Sequence, residues 1–281
     1  MSNSQNIADI AGFFRDPAGS SVISLHTHQI VAPVIRGHDL TEDEAMTGGG
    51  LRIVLKILDG SGSMGRYAPL LVDGLNNDYI PALKEAREDD IAALRIGGIG
   101  FSDSPRQIWV GPDGSAFHTL DKLPQLTLAE YYDGGSTALH ASIIEGVSIA
   151  MKYAAEQKKA TGIDADIDII VFSDGANTDH PRSPQGVRDL ITSAKADRVR
   201  FCYLYFNTSG QTDVDSPRHP IKLALEMGFD SEMVQSFEPE PGETEAQLKK
   251  RFRRLIQVMS KVSASKGQSA TKAAAAVVDA V

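Results

Sequence analysis

Strand-like and helix-like segments alternate along most of this chain, and that alternation limits its possible folds more than any other feature. Three short runs are almost continuously apolar: residues 51–58 (LRIVLKIL), 166–173 (DIDIIVFS) and 199–206 (VRFCYLYF). Such runs are typical of parallel strands buried on both faces of a sheet. Because segments with helical spacing separate them, we predict an α/β fold: a three-layer, doubly wound, mostly parallel sheet with helices on both faces.

The remaining elements follow from the same patterns. We predict further strands over 91–101 and 231–237, and an edge hairpin over 106–118 with Gly-Pro-Asp-Gly as its turn. Helices are predicted over 67–88, 137–160, 184–196, 219–227 and 243–264. In the first of these, apolar residues recur every fourth position, which is a helical repeat. They are Leu71, Leu75, Tyr79 and Leu83.

Composition divides the chain into three parts. Residues 1–50 form an N-terminal extension, 51–264 the α/β domain and 265–281 a low-complexity tail. His26 and His28 alternate on an extended stretch of the extension. Two histidines alone make an incomplete metal site, so we favour a hydrogen-bonding role for them.

Charge is distributed unevenly along the sequence. The 28 basic and 37 acidic residues argue against a protein that binds nucleic acid over its whole surface. Residues 249–272 nevertheless carry eight Lys or Arg and no acid. We favour a solvated helix face that pairs with nearby acids, and contact with an acidic partner or nucleic acid is the alternative.

Several features favour a cytoplasmic protein without a membrane partner. No apolar run reaches the roughly 18 residues that span a bilayer, and the first residues lack the basic and apolar regions of a secretory signal. The single cysteine, Cys202, cannot form an intramolecular disulfide. Its place in an apolar strand predicts a small buried hydrophobic residue.

Polar residues cluster at the predicted carboxyl ends of the strands, where open α/β sheets bind their ligands. Two short segments follow strands 51–58 and 166–173, and a third precedes the long helix 137–160. The candidate ligands are Asp59, Ser61, Ser63, Thr137 and Asp174. Carboxylate and hydroxyl oxygens are hard ligands, and two carboxylates are too few to surround Ca²⁺. The set predicts Mg²⁺ or Mn²⁺, with Ca²⁺ less favoured.

The same residues carry a resemblance to a known family. Asp59-x-Ser61-x-Ser63, the Thr137 of Gly-Ser-Thr-Ala-Leu and the Asp174 of Phe-Ser-Asp-Gly resemble the metal-ion-dependent adhesion site of von Willebrand factor type A domains. The resemblance covers the predicted α/β domain. It implies that the three hydroxyls bind the metal, while both carboxylates lie beside it and often act through bound water.

The resemblance also implies a function. In such a site the remaining coordination position accepts a carboxylate from a protein partner, so we expect a non-enzymatic, metal-dependent protein-binding module. Residues 251–265 (RFRRLIQVMSKVSAS) further resemble the closing helix of bacterial stand-alone type A proteins associated with tellurium resistance. That narrower resemblance implies a role in a bacterial stress-response or defence system.

Two nucleotide-binding patterns compete for the glycine-rich loop. Gly60 to Gly65 fits G-x-G-x-x-G, which requires an acidic residue about 20 residues later. The candidate, Asp103, lies 38 residues after Gly65. The same stretch fails as a phosphate-binding P-loop, because Arg66 and Tyr67 stand where Lys and Ser or Thr are required.

A metal-dependent hydrolase or phosphatase that uses the same site is the alternative we retain. Asp59 stands where aspartate-based phosphatases carry their nucleophile, but these need a second Asp two positions later, where this chain has Ser61. Helix capping alone explains one of the three segments. We expect His140, in the first turn of the long helix, to be packed or solvent-facing rather than to tune the site.

Overall fold

The computed structural model describes residues 36–41, 50–86, 93–178, 184–208, 219–238, 240 and 242–264. The predictions for residues 1–35, including His26 and His28, and for the tail 265–281 lie outside these ranges. Two of the eight basic residues of 249–272, Lys266 and Lys272, lie outside them as well. The boundaries of the extension, the domain and the tail stay predictions.

The described residues form one mixed sheet of eight strands. The strands are β1 (Arg36–Gly37), β2 (Leu51–Asp59), β3 (Ala93–Phe101), β4 (Pro105–Ile108), β5 (Ser115–His118), β6 (Ala165–Ser173), β7 (Val199–Phe206) and β8 (Val234–Phe237). They lie in the order β1-β5-β3-β2-β6-β7-β8, with β4 also paired to β3. Pairing is parallel from β3 through β2, β6 and β7 to β8. The predicted doubly wound, mostly parallel α/β fold is confirmed.

Helices cover both faces of the sheet. They are α1 (Ala68–Gly74), α2 (Ile80–Ala86), α3 (Leu128–Tyr131), α4 (Leu139–Thr161), α5 (Pro184–Ala196), α6 (Pro220–Glu226) and α7 (Glu245–Ala264). Ile53, Leu55 and Ile57 of β2 pack in a core with α4 and α5, whereas Val54 and Leu58 pack in a second core with α1 and α7. This alternation is expected of a strand buried on both faces. None of the described helices is long and apolar enough to cross a membrane.

The helix predicted over 67–88 is interrupted in the middle. α1 and α2 are joined by a π-helical turn over Leu75–Tyr79. The four apolar residues at every fourth position, Leu71, Leu75, Tyr79 and Leu83, are all buried. An α-helix has 3.6 residues per turn, so a strict spacing of four drifts around it. The wider π-helical turn corrects that drift and keeps the four side chains facing the sheet.

The edge hairpin predicted over 106–118 is wrong in its pairing. β4 and β5 both pair antiparallel with β3 instead of with each other. The predicted turn is present, because Gly114 donates its N–H to the Gly111 carbonyl at 2.8 Å. Buried Trp109 separates the two strands: its φ is 58°, and it packs on Gly98, where a Cβ would lie 2.7 Å from the indole. This left-handed residue takes the chain away from β3 before it returns as β5.

Two residues of the predicted N-terminal extension belong to the sheet. Arg36 and Gly37 form β1, which pairs parallel with β5. The buried guanidinium of Arg95 then donates to the carbonyl oxygens of His38, at 2.5 Å, and Asp39, at 2.8 Å. Hydrogen bonds from the core of the sheet therefore hold the short described segment 36–41 in place.

The basic face of α7 pairs with acidic residues. Arg251 contacts Glu243 at 2.9 Å, and Arg253 contacts Asp73 at 3.2 Å. These contacts agree with the interpretation of a solvated face that pairs with nearby acids. Contact of this segment with an acidic partner or nucleic acid stays a prediction.

Lys56 is a basic residue in the second core. It lies on the central strand β2 and is completely buried, and among the described residues its Nζ has no hydrogen-bond partner. The nitrogen lies 3.3 Å from the centre of the Tyr79 ring. Burial lowers the pKa of Lys56 well below its usual value. Cys202 packs partly buried against the same core, and burial raises the pKa of its thiol to about 12.

We expect Lys56→Met to stabilise the protein at neutral pH, on the order of 1–4 kcal/mol, because an apolar side chain replaces a buried ionisable group. With its folded-state pKa depressed below 10.5, Lys56 binds fewer protons in the folded state than in the unfolded chain. Wild-type stability should therefore rise with pH until the unfolded chain also loses this proton, and Lys56→Met should flatten that rise. Urea denaturation near pH 7 and near pH 10 measures both effects.

The matched control is Lys84→Met, since Lys84 is exposed on α2. It should leave the stability and its pH dependence unchanged within about 0.5 kcal/mol. A Lys56→Met protein that is less stable than wild type near pH 7 would contradict the prediction.

Candidate metal centre

Asp59 lies at the centre of the candidate site. It is the last residue of β2 and is fully buried. One carboxylate oxygen accepts the backbone N–H of Ser61 at 2.9 Å, and the other accepts the hydroxyl of Ser173, the last residue of β6, at 2.6 Å. The Asp59 carbonyl oxygen accepts the Tyr131 hydroxyl. The ends of two neighbouring strands and α3 therefore fix the position of this carboxylate.

The two predicted serine ligands come next in the chain. The hydroxyls of Ser61 and Ser63 lie 3.2 Å apart, and Ser61 is buried whereas Ser63 is exposed. Gly60 must lack a side chain, because a Cβ there would lie 2.5 Å from the Tyr131 carbonyl oxygen. The close contact between α3 and Gly60 thus fixes the path of the loop that carries the two serines.

Backbone hydrogen bonds join the Thr137 segment to the serine loop. Gly62 donates its N–H to the Gly135 carbonyl at 3.1 Å, and Gly134 donates its N–H to the Gly60 carbonyl at 3.0 Å. Thr137 follows Gly135 by two residues, shortly before α4 begins, and its side chain is buried. The structure therefore brings the second predicted segment against the first.

Asp174 brings the third segment to the same edge of the sheet. It follows β6 directly and is buried. One of its carboxylate oxygens accepts the Ala176 N–H at 3.1 Å, and the other accepts the Thr208 hydroxyl at 2.8 Å. Four residues later, Thr178 donates its backbone N–H to the Thr137 carbonyl at 2.9 Å. All three segments are thus joined through described hydrogen bonds.

The two carboxylates lie close enough to influence each other electrostatically. Burial and, after it, the charge of Asp174 raise the pKa of Asp59 to about 7. The hydrogen bonds described for both carboxylates come from backbone N–H groups and hydroxyls, which carry no charge. Two buried acids whose partners in the described part of the chain are all neutral are costly unless a cation or protons compensate them.

The donor set fits a small, hard cation. Among the described residues no group of three or more His, Cys, Asp or Glu is arranged to hold a metal. The available donors are instead two carboxylates and three hydroxyls, the oxygen chemistry that suits Mg²⁺ and Mn²⁺. The ligand roles of the five residues stay predictions, although the structure places their three segments together.

Three residues that the sequence analysis did not single out hold the carboxylates in place: Ser173, Thr208 and Tyr131. Ser173 ends β6 and Thr208 closely follows β7, so their positions at strand ends were the signal that could have identified them. Tyr131 belongs to α3, a short helix that the sequence analysis did not predict, and no pattern pointed to it.

Two other candidates have structural contacts of their own. His140 is buried, and its Nδ1 lies 3.2 Å from Nδ2 of Asn177, as expected of a packed histidine. Asp103 is exposed and accepts the Ser136 N–H at 2.8 Å. It therefore braces the loop before Thr137, and a ribose-binding role for it stays unsupported.

Comparisons with known proteins bear on the fold. No protein-family model and no curated protein matches the chain. The pilus adhesin SpaC from Lactobacillus rhamnosus GG is 12% identical, with a TM-score of 0.50 and coverage of 80% of this chain and 31% of SpaC. A von Willebrand factor type A protein from Catenulispora acidiphila is 14% identical, with a TM-score of 0.48 and coverage of 78% and 44%. The likeness to SpaC shows that the two proteins share a fold.

A third similar structure is proximal thread matrix protein 1 from the mussel byssus, solved with a zinc-occupied MIDAS motif. It is 14% identical, with a TM-score of 0.46 and coverage of 75% of this chain and 46% of that protein. The present chain spans less than half the length of these three structures. At identities this low, a structural likeness bears on the fold alone.

We expect the metal-free protein to lose stability as the pH rises from 3.8, the unfolded-state pKa of Asp59, to its folded-state value of about 7. In this window the folded state binds a proton that the unfolded chain has already lost, so the stabilising contribution disappears as the pH approaches 7. Thermal unfolding in EDTA should show this fall in the wild type and a flatter profile in Asp59→Asn.

Asp103→Asn is the control, because hydrogen bonds from Ser136 lower the pKa of Asp103 and give it the opposite pH dependence. That variant should retain the fall. If the Asp59→Asn profile matches wild type, Asp59 is not the titrating group.

Proposed function

We propose that this chain is a non-enzymatic, metal-dependent protein-binding module. One divalent cation, Mg²⁺ or Mn²⁺, is held at the carboxyl edge of the sheet by the hydroxyls of Ser61, Ser63 and Thr137, with Asp59 and Asp174 beside it. The observation that carries the proposal is the pair of buried carboxylates whose described hydrogen bonds all come from neutral groups.

Another buried acid of the same sheet shows how unusual this arrangement is. Asp168 is as deeply buried on β6, but it forms two hydrogen bonds with the Arg200 guanidinium, at 2.6 and 2.8 Å. A buried acid with a structural role is normally paired in this way. Asp59 and Asp174 have hydroxyl and N–H donors instead, which orient a carboxylate and leave its charge for a cation to neutralise.

We infer that the partner presents an Asp or Glu carboxylate to the metal. Ser63 is exposed while Asp59 and Ser61 are buried, so the site opens to solvent on the Ser63 side. Mg²⁺ prefers six oxygen ligands and usually keeps several waters, which leaves positions for an incoming ligand. The bound cation supplies the positive charge that attracts a carboxylate to a rim that also carries the exposed Asp103.

The hydrolase alternative finds less support in the geometry. A nucleophilic carboxylate needs an oxygen that reaches the substrate. Asp59 is fully buried, and each of its carboxylate oxygens already accepts a hydrogen bond. This arrangement favours a carboxylate that positions a metal over one that attacks a phosphate.

The cellular setting is proposed from sequence alone. We propose a cytoplasmic protein of a bacterial stress-response or defence system, related to tellurium resistance, on the resemblance of residues 251–265. The α7 helix that contains most of this segment packs on the second core through Phe252 and Leu255.

Removing one candidate metal ligand should weaken metal binding without unfolding the protein. We expect Ser63→Ala and Asp59→Ala to lower Mg²⁺ or Mn²⁺ affinity at least ~10-fold in calorimetric titration, as is usual for metal ligands and the groups that orient them. Ser104→Ala is the control, because Ser104 is exposed in the neighbouring loop. Unchanged affinity in both test variants would exclude this site.

Partner recognition should require both the metal and a carboxylate. We expect a displayed peptide library selected in Mg²⁺ to yield peptides whose binding is lost in EDTA, in the Ser63→Ala protein and after the peptide's Asp or Glu is changed to Asn or Gln. The same preparations should show no metal-dependent turnover of aryl phosphates or nucleotides. Turnover that disappears in Asp59→Asn or Asp174→Asn would instead support the hydrolase.

A further inference from the structure

The long helix α4 begins without a cap of its own. Its N-cap residue is Ala138, which has no side chain that could accept a hydrogen bond. The first N–H groups of a helix have no partner within the helix, and Ser, Thr, Asn or Asp normally accept one of them from the N-cap position. In a buried helix start such as this one, those groups need acceptors from elsewhere.

Two side chains of the loop after β6 accept N–H groups here, one from the first turn of α4 and one from the residue before its N-cap. The Thr178 hydroxyl accepts the Thr137 N–H at 2.9 Å, and Oδ1 of Asn177 accepts the His140 N–H at 3.3 Å. The Ala138 N–H goes to the Ser102 carbonyl at 2.7 Å. Asn177 therefore caps α4 in trans, and Thr178 holds the residue before the N-cap; both lie about 40 positions further along the chain.

The same two residues also bond in the opposite direction. The Thr178 hydroxyl donates to the Thr137 carbonyl at 3.3 Å, and the Thr178 N–H donates to the same carbonyl at 2.9 Å. The amide Nδ2 of Asn177 lies 3.2 Å from Nδ1 of His140. Because an amide NH₂ can only donate, this histidine nitrogen is the acceptor. Thr137 is thus held by Thr178 at both its N–H and its carbonyl.

The capping loop is also the loop that carries Asp174. Its beginning is fixed by the hydrogen bonds that Asp174 accepts from Ala176 and Thr208. Its later part is fixed by the hydrogen bonds of Asn177 and Thr178 to the start of the α4 region. A displacement of the cap therefore moves a candidate hydroxyl ligand and a candidate carboxylate relative to each other. Small errors in such relative positions weaken metal sites.

We propose that Thr178 and Asn177 are positioning residues of the metal site, which set the place of Thr137 relative to Asp174. Thr178 holds Thr137 at its N–H and its carbonyl, and Asn177 caps α4 in trans. This inference rests on the proposed function. The hydroxyl of Thr178 raises the metal affinity by holding Thr137 in place, without contacting the metal itself. A purely structural cap would change the stability of the protein and leave the affinity of the site unchanged.

The test compares metal affinity with stability in a set of full-length variants. Calorimetric titration with Mg²⁺ and with Mn²⁺ gives the affinity, and thermal unfolding in EDTA gives the stability. We expect Thr178→Val to lower the affinity ~10-fold or more, the size usual for groups that orient metal ligands. Thr178→Ser keeps the hydroxyl and should bind within about twofold of wild type. Asn177→Ala should weaken binding in the same direction as Thr178→Val.

Thr244→Val is the matched control. Thr244 is an exposed threonine whose hydroxyl accepts the Gln247 N–H at 3.3 Å, at the start of α7. Its loss removes a helix cap away from the metal site, so the thermal midpoint should fall while the metal affinity stays at the wild-type value. This control separates loss of a cap in general from loss of the trans cap.

The outcomes distinguish this inference from the proposed function. If the wild type binds neither metal, the proposed function is wrong and the inference falls with it. If the wild type binds and Thr178→Val, Asn177→Ala and Thr178→Ser all bind equally well, the proposed function stands and the positioning role is overturned. If Thr178→Val does not fold, Asn177→Ala and Thr178→Ser decide: unchanged affinity in Asn177→Ala, or a large loss in Thr178→Ser, overturns the role of the cap.

Discussion

The parallel pairing of β2 with β3 on one side and β6 on the other runs in register from Leu51 to Leu58. Because the register is uninterrupted, these strands end at the same level, and the residues after them share one edge of the sheet. That alignment places the Asp59 carboxylate against the Ser173 hydroxyl and the Gly60 N–H against the Phe101 carbonyl. A shift of one residue would turn every β2 side chain to the opposite face and take Asp59 out of this edge.

Buried charges are paired differently in the body of the sheet and at its carboxyl edge. Within the body of the sheet, Asp168 is paired with Arg200, and Arg52 lies 4.0 Å from the same carboxylate. At the carboxyl edge, Asp59 and Asp174 repel each other and receive hydrogen bonds from neutral donors. A paired buried charge is already compensated within the protein, whereas like charges held together prepare a place for a cation. This contrast within one molecule is the physical basis of the proposed function.

Much of the fold was predictable because burial leaves a periodic signal. α5 and β7 begin and end where the sequence predicted, at 184–196 and 199–206, since continuous apolar runs and amphipathic spacing mark them. The edge region was predicted less well. β4 and β5 were assigned to a hairpin from their turn residues, but both pair with β3. That pairing depends on the contact between Trp109 and Gly98, which belong to different predicted elements and meet only in the folded protein.

The candidate ligands Asp59, Ser61, Ser63, Thr137 and Asp174 were recognisable in the sequence because each is tied to a strand end or a helix start. The sequence by itself determined the α/β fold, the succession of its central elements along the chain and the chemical type of these residues, because local periodicity and residue type encode them. Only the tertiary structure decided which groups orient them: Ser173 and Thr208 for the carboxylates, and Thr178 for Thr137. Such partners lie up to 114 positions apart in the chain, and no local pattern records which distant side chain completes a hydrogen bond.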